Sequence, residues 1–126
     1  MSAIQLFNVV SRHNQWLAVR QSTIASNIAN ANTPGYKALD VEPFEKALDA
    51  TRLAMGATQP GHLTDTTSQS AAVGVRKSET WETMHSGNNV SMEQELINAG
   101  DVNRAYRLNT GIAKAFHRML LASVKV

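Results

Sequence analysis

The chain has 126 residues and contains no cysteine, only three prolines and no long hydrophobic run. Without cysteine it can form no disulfide, thiolate metal site or thiol nucleophile, although this absence suits oxidising and reducing compartments alike. No stretch approaches the roughly 18 consecutive apolar residues that a transmembrane helix needs. The first residues, MSAIQLFNVVSRHNQ, lack the basic start and apolar core of a secretory signal. We therefore expect no membrane span and no cleaved signal.

Charged residues are scarce as well. They make up 17% of the chain, below the usual value of about a quarter, whereas hydrophobic residues make up an ordinary 43%. The length suits one structural unit, but a chain of this size has a limited capacity to bury its own apolar surface. The composition indicates that something other than water covers part of the surface.

The charges are distributed unevenly along the chain. Residues 1–39 carry three bases and no acid, residues 40–100 carry nine acids and four bases, and residues 101–126 carry five bases and one acid. Such runs are typical of solvated surfaces. Basic ends would also suit the acidic middle of a neighbouring molecule, in which case salt should weaken association. The sequence leaves both interpretations open.

The N-terminal 31 residues have the pattern of a long helix. Residues 2–31 contain no proline or glycine, and apolar residues recur at steps of three, four and seven. The predicted helix would be roughly 40 Å long, because each residue adds about 1.5 Å. Polar residues interrupt its apolar stripe, which argues against a strong isolated coiled coil. Assembly with other subunits is the favoured source of its order.

A stop signal follows in the segment NANTPGYKA, residues 30–38. Asn30 and Asn32 tolerate left-handed backbone conformations, and Pro34 disfavours a helical conformation at the preceding residue. The four residues beginning at Thr33 suit a type II turn, since proline presets the first central dihedral and Gly35 accepts the positive one. We predict that the helix ends here and that the chain changes direction.

The middle of the chain, residues 32–90, gives a weaker pattern. A short helix is predicted from Pro43 to about Met55, with Gly56 ending it. Residues 57–74 are rich in threonine, serine, glutamine and glycine, which predicts a loop or disorder in the free chain. Short extended segments are predicted around three bulky apolar residues, namely Val73, Val75 and Trp81.

Residues 91–126 are predicted to form the second long helix. Ser91 and Gln94 have the spacing of a capping box at its start. Its apolar stripe is too wide for one partner helix, so several neighbours are expected to cover it. Gly100 and Gly111 destabilise a helix interior by roughly 1 kcal/mol each relative to alanine. They predict either the close approach of another backbone or local kinking.

No motif for catalysis or ligand binding is present in the sequence. His13, His62, His85 and His117 lack the spacing of metal ligands on one helical face. There is no nucleophile elbow and no glycine-rich phosphate loop. We predict no metal, no cofactor, no small-molecule substrate and no enzymatic activity. One rival class, a small basic helical nucleic-acid-binding module, is suggested by four residues of the second helix, Arg104, Arg107, Lys114 and Arg118.

Two segments resemble the signatures of the flagellar rod and hook axial protein family. They are ASNIANANTPGYKA at residues 25–38, and GNNVSMEQEL at residues 87–96 followed by NRAYRLN at residues 103–109. The short chain leaves no room for the inserted domains of distal rod and hook subunits. The segment QPGHL with His62, and the turn GNNV, are similar to the FlgB-type branch of the proximal rod proteins, with the FlgC-type branch as the alternative. Ser91 departs from the aspartate that is common there.

The resemblance implies a mainly α fold, in which helices 1–31 and 91–126 form an antiparallel, coiled-coil-like hairpin within one structural unit. It implies a structural subunit of the proximal rod that transmits torque, contacts other rod and basal-body proteins and copies of itself, and passes unfolded through the type III export apparatus. The expected location is the flagellar basal body, in the rod that crosses the periplasm. The family turn motif maps onto Asn27, Asn30, Asn32, Thr33, Pro34, Gly35 and Tyr36. From the apolar stripes we predict interface packing by Leu17, Ile24, Ile28, Tyr106, Ile112, Phe116 and Leu120.

Overall fold

The computed structural model describes residues 3–50 and 73–125 of the chain. Within these ranges the elements are α1 (Ala3–Ala29), β1 (Leu39–Val41), α2 (Phe44–Ala50), β2 (Val75–Lys77) and α3 (Met92–Val124). The prediction of a mainly helical fold with long helices at both ends is confirmed. The two ends are joined by a middle that contains a short helix and a two-stranded sheet.

Helix α1 ends two residues before the predicted position. Its last hydrogen bonds span three residues instead of four, which tightens the final turn. The Asn30 N–H donates to both Ser26 O (3.1 Å) and Asn27 O (3.2 Å), and the Thr33 N–H then donates to Asn30 O at 3.0 Å. Asn30 and Asn32 tolerate left-handed conformations but do not adopt them here, because among the described residues only Gly35 and Gly87 have a positive φ. The helix ends where the Asn30 N–H is shared between two carbonyls and hydrogen bonds to the third preceding residue take over.

The chain reverses where the type II turn was predicted. The Tyr36 N–H donates to Thr33 O at 3.2 Å, and Gly35 between them has a φ of 73°. This conformation is open to glycine at little cost and is strained for residues with a Cβ atom. The turn directs the following residues back along α1.

Strands β1 and β2 form an antiparallel pair in which Leu39 is opposite Lys77 and Val41 is opposite Val75. The extended segment predicted at Val75 is therefore present. Between the strands, α2 begins one residue after Pro43. The fixed φ of proline suits the start of a helix, where the N–H that proline lacks would have no partner within the helix. The predicted continuation of α2 to Met55 and its end at Gly56 lie outside the described residues.

Helices α1 and α3 pack as an antiparallel hairpin. Asn27 contacts Glu95, and His13 contacts Asn109. The two contacts are 14 residues apart on each helix and run in opposite directions along the chain, as in an antiparallel pair. The predicted hairpin is confirmed. Its core is small, and the buried apolar residues that form it are Trp16, Leu17, Ile24, Val41 and Val102.

Helix α3 begins at the predicted cap, although only half of the capping box forms. The Ser91 hydroxyl accepts from the Gln94 N–H at 3.4 Å, which satisfies one unpaired amide at the helix start. The Gln94 side chain does not return to the cap and donates instead to Glu79 O at 2.9 Å. The start of α3 is thus also tied to the segment that follows β2.

Candidate assembly interface

A buried asparagine joins α1 to the rest of the chain. Asn27 is 1% exposed, and its amide nitrogen donates to Leu39 O at 2.7 Å and to Glu95 Oε1 at 3.1 Å. Its amide oxygen accepts from the Leu39 N–H at 3.0 Å and from the Tyr36 hydroxyl at 3.3 Å. The side chain pairs with the backbone of β1 much as a neighbouring strand would. All four hydrogen-bonding positions of the amide are used.

A second buried asparagine holds the turn after α1. Asn88 donates to Asn30 O at 2.8 Å and to Thr33 O at 2.7 Å, and it accepts from the Val90 N–H at 2.8 Å. Both carbonyls lie just beyond α1 and already accept one backbone N–H each, so Asn88 supplies their second hydrogen bond. The segments 25–38 and 87–96, which the sequence singled out separately, form one structural junction.

Further contacts close this junction. The Gly35 N–H donates to Ser86 O at 3.0 Å, and the Lys37 ammonium donates to Gly87 O at 2.6 Å. The Ala38 N–H donates to Asn89 Oδ1 at 2.6 Å. Two turns held by so many polar contacts form a rigid base from which both long helices project.

One carboxylate lies inside the junction. Glu95 is 2% exposed, and its Oε2 atom has no hydrogen-bond partner among the described residues. Burial raises the pKa of Glu95 above its ordinary value of 4.5, and the charge of Asp40 adds to this effect. The hydrogen bond from Asn27 and the charge of Arg20 act in the opposite direction and lower the pKa. The balance favours the protonated carboxyl more than in water.

The two helices also share a polar contact further along. The Asn109 amide nitrogen lies 2.7 Å from His13 Nδ1 and donates to Asn14 Oδ1 at 2.9 Å. The Trp16 indole N–H donates to Glu42 O at 2.7 Å, so this large side chain packs in the core while its polar atom is paired. Polar contacts therefore align α1, α3 and the end of β1 along the hairpin.

The predicted interface residues occupy different environments. Leu17 and Ile24 are buried within the hairpin, and Ile28 packs against the same core. The Phe116 ring meets the Phe7 ring edge to face, with centroids 5.5 Å apart. The other three predicted interface residues are exposed by 38–55%, namely Tyr106, Ile112 and Leu120.

Helix α3 presents an apolar stripe away from α1, which we call the outer stripe. Its members are Ile97, Leu108, Ile112 and Met119, whose exposed fractions lie between 40% and 62%. Their separations of eleven, four and seven residues return to nearly the same side of a helix. Exposed apolar surface of this extent is typical of sites where proteins associate.

The residues of the predicted turn motif mostly serve the junction. Asn30 donates to Ser26 O at 2.8 Å and accepts from the Thr33 hydroxyl at 3.2 Å. Pro34 and Asn32 are exposed. The structure thus brings five of the seven motif residues into contact with other segments, namely Asn27, Asn30, Thr33, Gly35 and Tyr36.

Sequence reasoning placed Asn88 and Asn89 in a turn without predicting their contacts, and it assigned no individual role to Glu95 or Asn109. Glu95, Val102 and Asn109 are each seven residues apart, which places them on one line of α3. The available signal was a polar residue at a position that continues an apolar repeat. Such a residue needs a buried partner, since burying an unpaired polar group is costly.

The described part of the chain offers little for other chemistry. It contains no group of three or more acidic or histidine side chains that could hold a metal ion. None of its helices has an apolar stretch sufficient to cross a bilayer. Its distinguishing features are the two-segment junction and the exposed apolar and basic faces of α3.

Comparison with known proteins assigns these features to a family. A family model described as flagella basal body rod protein matches residues 9–37, which include most of α1 and the turn after it. The flagellar basal body rod protein FlgB of Agrobacterium fabrum (strain C58) is 43% identical over 130 residues, which cover 99% of this chain and 96% of that protein. FlgB of Buchnera aphidicola is 30% identical over 74% of each chain. FlgB of Escherichia coli (strain K12) is 30% identical over 73% of this chain and 72% of that protein.

An identity of 43% over nearly the whole length of both chains, together with the match of the rod-protein model to the α1 segment, leaves one conclusion. The chain belongs to the FlgB family of flagellar basal-body rod proteins and is a structural subunit of the proximal rod.

Proposed function

We propose that the chain builds the proximal rod by packing the exposed side of its hairpin against copies of itself and against other rod proteins. The outer stripe is the main support, because its four apolar side chains have little protection in the single chain. Burial contributes roughly 25 cal/mol per Å² of apolar area removed from water. Many such contacts share load, and so allow the rod to transmit torque.

The finer assignments belong to the same proposal. The chain is exported through the flagellar type III apparatus without signal cleavage, enters the rod where it crosses the periplasm, and catalyses no reaction. Residues 1–31 and 91–126 act as the packing arms, with residues 32–90 contacting neighbours. Support comes from the relatives, which are flagellar basal body rod proteins.

Variants that place a charge in the predicted packing test this proposal. A motile strain whose own copy of the gene is replaced by Phe116→Asp or Ile28→Asp should lose swimming, and the variant should be absent from purified basal bodies. Phe116→Leu and Ile28→Val are matched controls that keep an apolar side chain. Normal incorporation of Phe116→Asp would show that this residue is not packed in the rod.

The rival class named from the sequence, a nucleic-acid-binding module, is tested separately because α3 carries basic residues. Binding to phosphates would fall steeply with salt, because it releases counterions. A gel shift with duplex and single-stranded DNA at about 50 mM and about 200 mM salt separates the two functions. The rod proposal predicts no tight complex at either concentration, whereas a tight, salt-sensitive complex would favour the module.

A further inference from the structure

Two glycines and two arginines share one side of α3. Gly100, Arg104, Arg107 and Gly111 follow at steps of four, three and four residues, which places them on one helical face. We call this the glycine–arginine face. All four residues are exposed, and the face lies opposite Val102, which is buried against α1. Nothing in the hairpin itself requires this arrangement.

No contact within the described part of the single chain explains why glycine occupies these two positions of α3. Glycine inside a helix lowers stability relative to alanine, because it loses more conformational freedom on folding. A Cβ atom built on Gly100 or Gly111 would meet no heavy atom of the described residues within 4 Å. The missing side chains therefore leave open space. A neighbouring molecule whose backbone approaches closely would make use of that space.

The two arginines indicate that the neighbouring surface is negatively charged. Gly100, Asn103, Arg104 and Arg107 line a shallow notch. Arg104 forms an ion pair with Asp101 at 3.7 Å, and 84% of its side chain remains exposed among the described residues. Arg107 has no ion pair among the described residues. Guanidinium groups bind carboxylates in bidentate fashion, so the notch suits an acidic surface.

An acidic surface of suitable geometry exists on this same chain. Glu45 and Asp49 are four residues apart on α2, so they project from one side of that helix. Both are exposed, and neither forms an ion pair within the described residues. Their spacing is close to that of the two arginines on α3. The acidic middle of one copy of the chain thus has the opposite charge to the basic C-terminal part of another copy.

We propose that the glycine–arginine face of α3 binds the Glu45 and Asp49 side of α2 on a second copy of the chain. This inference rests on the proposed function, since it names the surfaces through which copies meet in the rod. The glycines allow close approach of the backbones, and the arginines fix the register. The outer stripe adjoins this face, because Leu108 lies four residues after Arg104 and three before Gly111, so contacts to the two surfaces would lie side by side on α3.

A charge exchange between the two surfaces tests the proposal. In the full-length chain, expressed in a strain that lacks its own copy, Arg104→Glu with Arg107→Glu should reduce incorporation into basal bodies at least tenfold. Glu45→Lys with Asp49→Lys should do the same. All four substitutions together should restore incorporation to within about threefold of the unaltered chain, since opposite charges again face each other. Arg76→Glu with Lys77→Glu, an equal charge change on exposed positions of β2, should have little effect.

The outcomes separate this inference from the proposed function. Normal incorporation of the double arginine variant, or four substitutions no better than two, would overturn the assignment of a second copy to this face. Absence of the unaltered chain from basal bodies would instead overturn the proposed function. Circular dichroism of each purified variant verifies that it folds. Because the chain has no cysteine, a disulfide between Arg107→Cys and Asp49→Cys in assembled rods supplies an independent readout, and its absence would contradict the contact.

The glycines supply a test that does not involve charge. Gly111→Ala and Gly111→Leu should melt at the same temperature as the unaltered chain or higher, because the site has open space and both residues favour helix. Incorporation should fall with side-chain size, with leucine reducing it more than alanine. Equal incorporation of Gly111→Leu would contradict close approach at this face.

Discussion

At Asn27 a single buried amide connects α1, β1 and α3. Its partners include the backbone of Leu39 and the carboxylate of Glu95, which is 68 residues away in sequence. A side chain that satisfies several buried groups contributes more through what its loss would expose than through any one bond. The residue therefore acts as a structural anchor of the junction.

Replacing Asn27 should destabilise the chain more than any other change in the turn motif. Asn27→Ala leaves the Leu39 backbone and Glu95 without this partner, and we expect the free energy of unfolding to fall by about 3 kcal/mol. Asn32→Ala is the matched control, because Asn32 is exposed, and it should change the value by less than about 0.5 kcal/mol. Urea denaturation of the purified chain measures both. Equal small effects would contradict the anchor role.

Glu95 makes stability depend on pH. Its pKa is raised by burial in the folded chain, so the folded state holds this proton to higher pH than the unfolded state does. The folded state then binds more protons in this window, and stability falls as pH rises from about 4.5 through the raised pKa. Below that window the contribution of protonated Glu95 is fully present.

Glu95→Gln should remove this part of the pH dependence. The amide is always neutral, so the stability of the variant relative to the unaltered chain should improve as pH rises through the window. Thermal unfolding between about pH 4 and pH 8 measures the difference. Glu93→Gln controls for loss of a carboxylate at an exposed position. A constant difference between Glu95→Gln and the unaltered chain at all pH values would contradict the assignment.

Among the elements, α3 has one side that packs within the hairpin and another that is exposed. Its inner line, which includes Glu95, Val102 and Asn109, meets α1, whereas the outer stripe faces away from it. A charge on the outer stripe should therefore leave the fold intact. Leu108→Lys should change the free energy of unfolding by less than about 0.5 kcal/mol, because Leu108 is 62% exposed.

The same Leu108→Lys variant should nevertheless fail to enter the rod. A lysine at the centre of an apolar contact loses burial energy and places a charge where water is excluded. Leu108→Met keeps an apolar side chain and should incorporate normally. Basal bodies purified from cells that express each variant, probed by immunoblotting, give the result. Incorporation of the lysine variant at normal levels would show that the outer stripe is not buried.

Local signals in the sequence were sufficient to predict the helices, the turn and the cap. The apolar period of α1, the pair Pro34 and Gly35, and the cap Ser91 each act within a few residues. The junction could not be predicted in this way, because its hydrogen bonds link residues up to 68 positions apart. Tyr106, which periodicity placed among the interface residues, is 55% exposed in the single chain, and its packing in an assembly stays a prediction.

Periodicity could not identify the side of α3 that packs against α1, because that side is partly polar. Its inner line contains two polar residues, Glu95 and Asn109, whose partners Asn27, His13 and Asn14 lie on the other helix. A rule that places apolar residues inside cannot find such a line. The predicted apolar stripe of α3 was too wide for one partner helix, and most of its large apolar residues remain exposed in the hairpin.

Considered as a whole, the molecule has basic ends and an acidic middle. If copies meet through opposite charges, their association should weaken with salt, because ions screen exposed charges beyond roughly 10 Å at 0.1 M. Light scattering of the purified chain at about 0.05 M and about 0.5 M salt should show fewer large species at the higher concentration. Association that is unchanged or stronger at high salt would favour apolar contacts alone.

The account depends most on the burial of the outer stripe during assembly. Since the chain has no cysteine, Leu108→Cys introduces a single thiol whose reactivity with a maleimide reports its exposure. Val102→Cys, buried in the hairpin, serves as the reference for protection, and labelling after denaturation gives the total thiol.

Labelling of the free chain and of purified basal bodies is then the most direct test. We expect Leu108→Cys to react rapidly in the free chain and to be protected in the assembled rod, while Val102→Cys is protected in both. Rapid labelling of Leu108→Cys within intact rods would contradict the central claim that assembly covers this face.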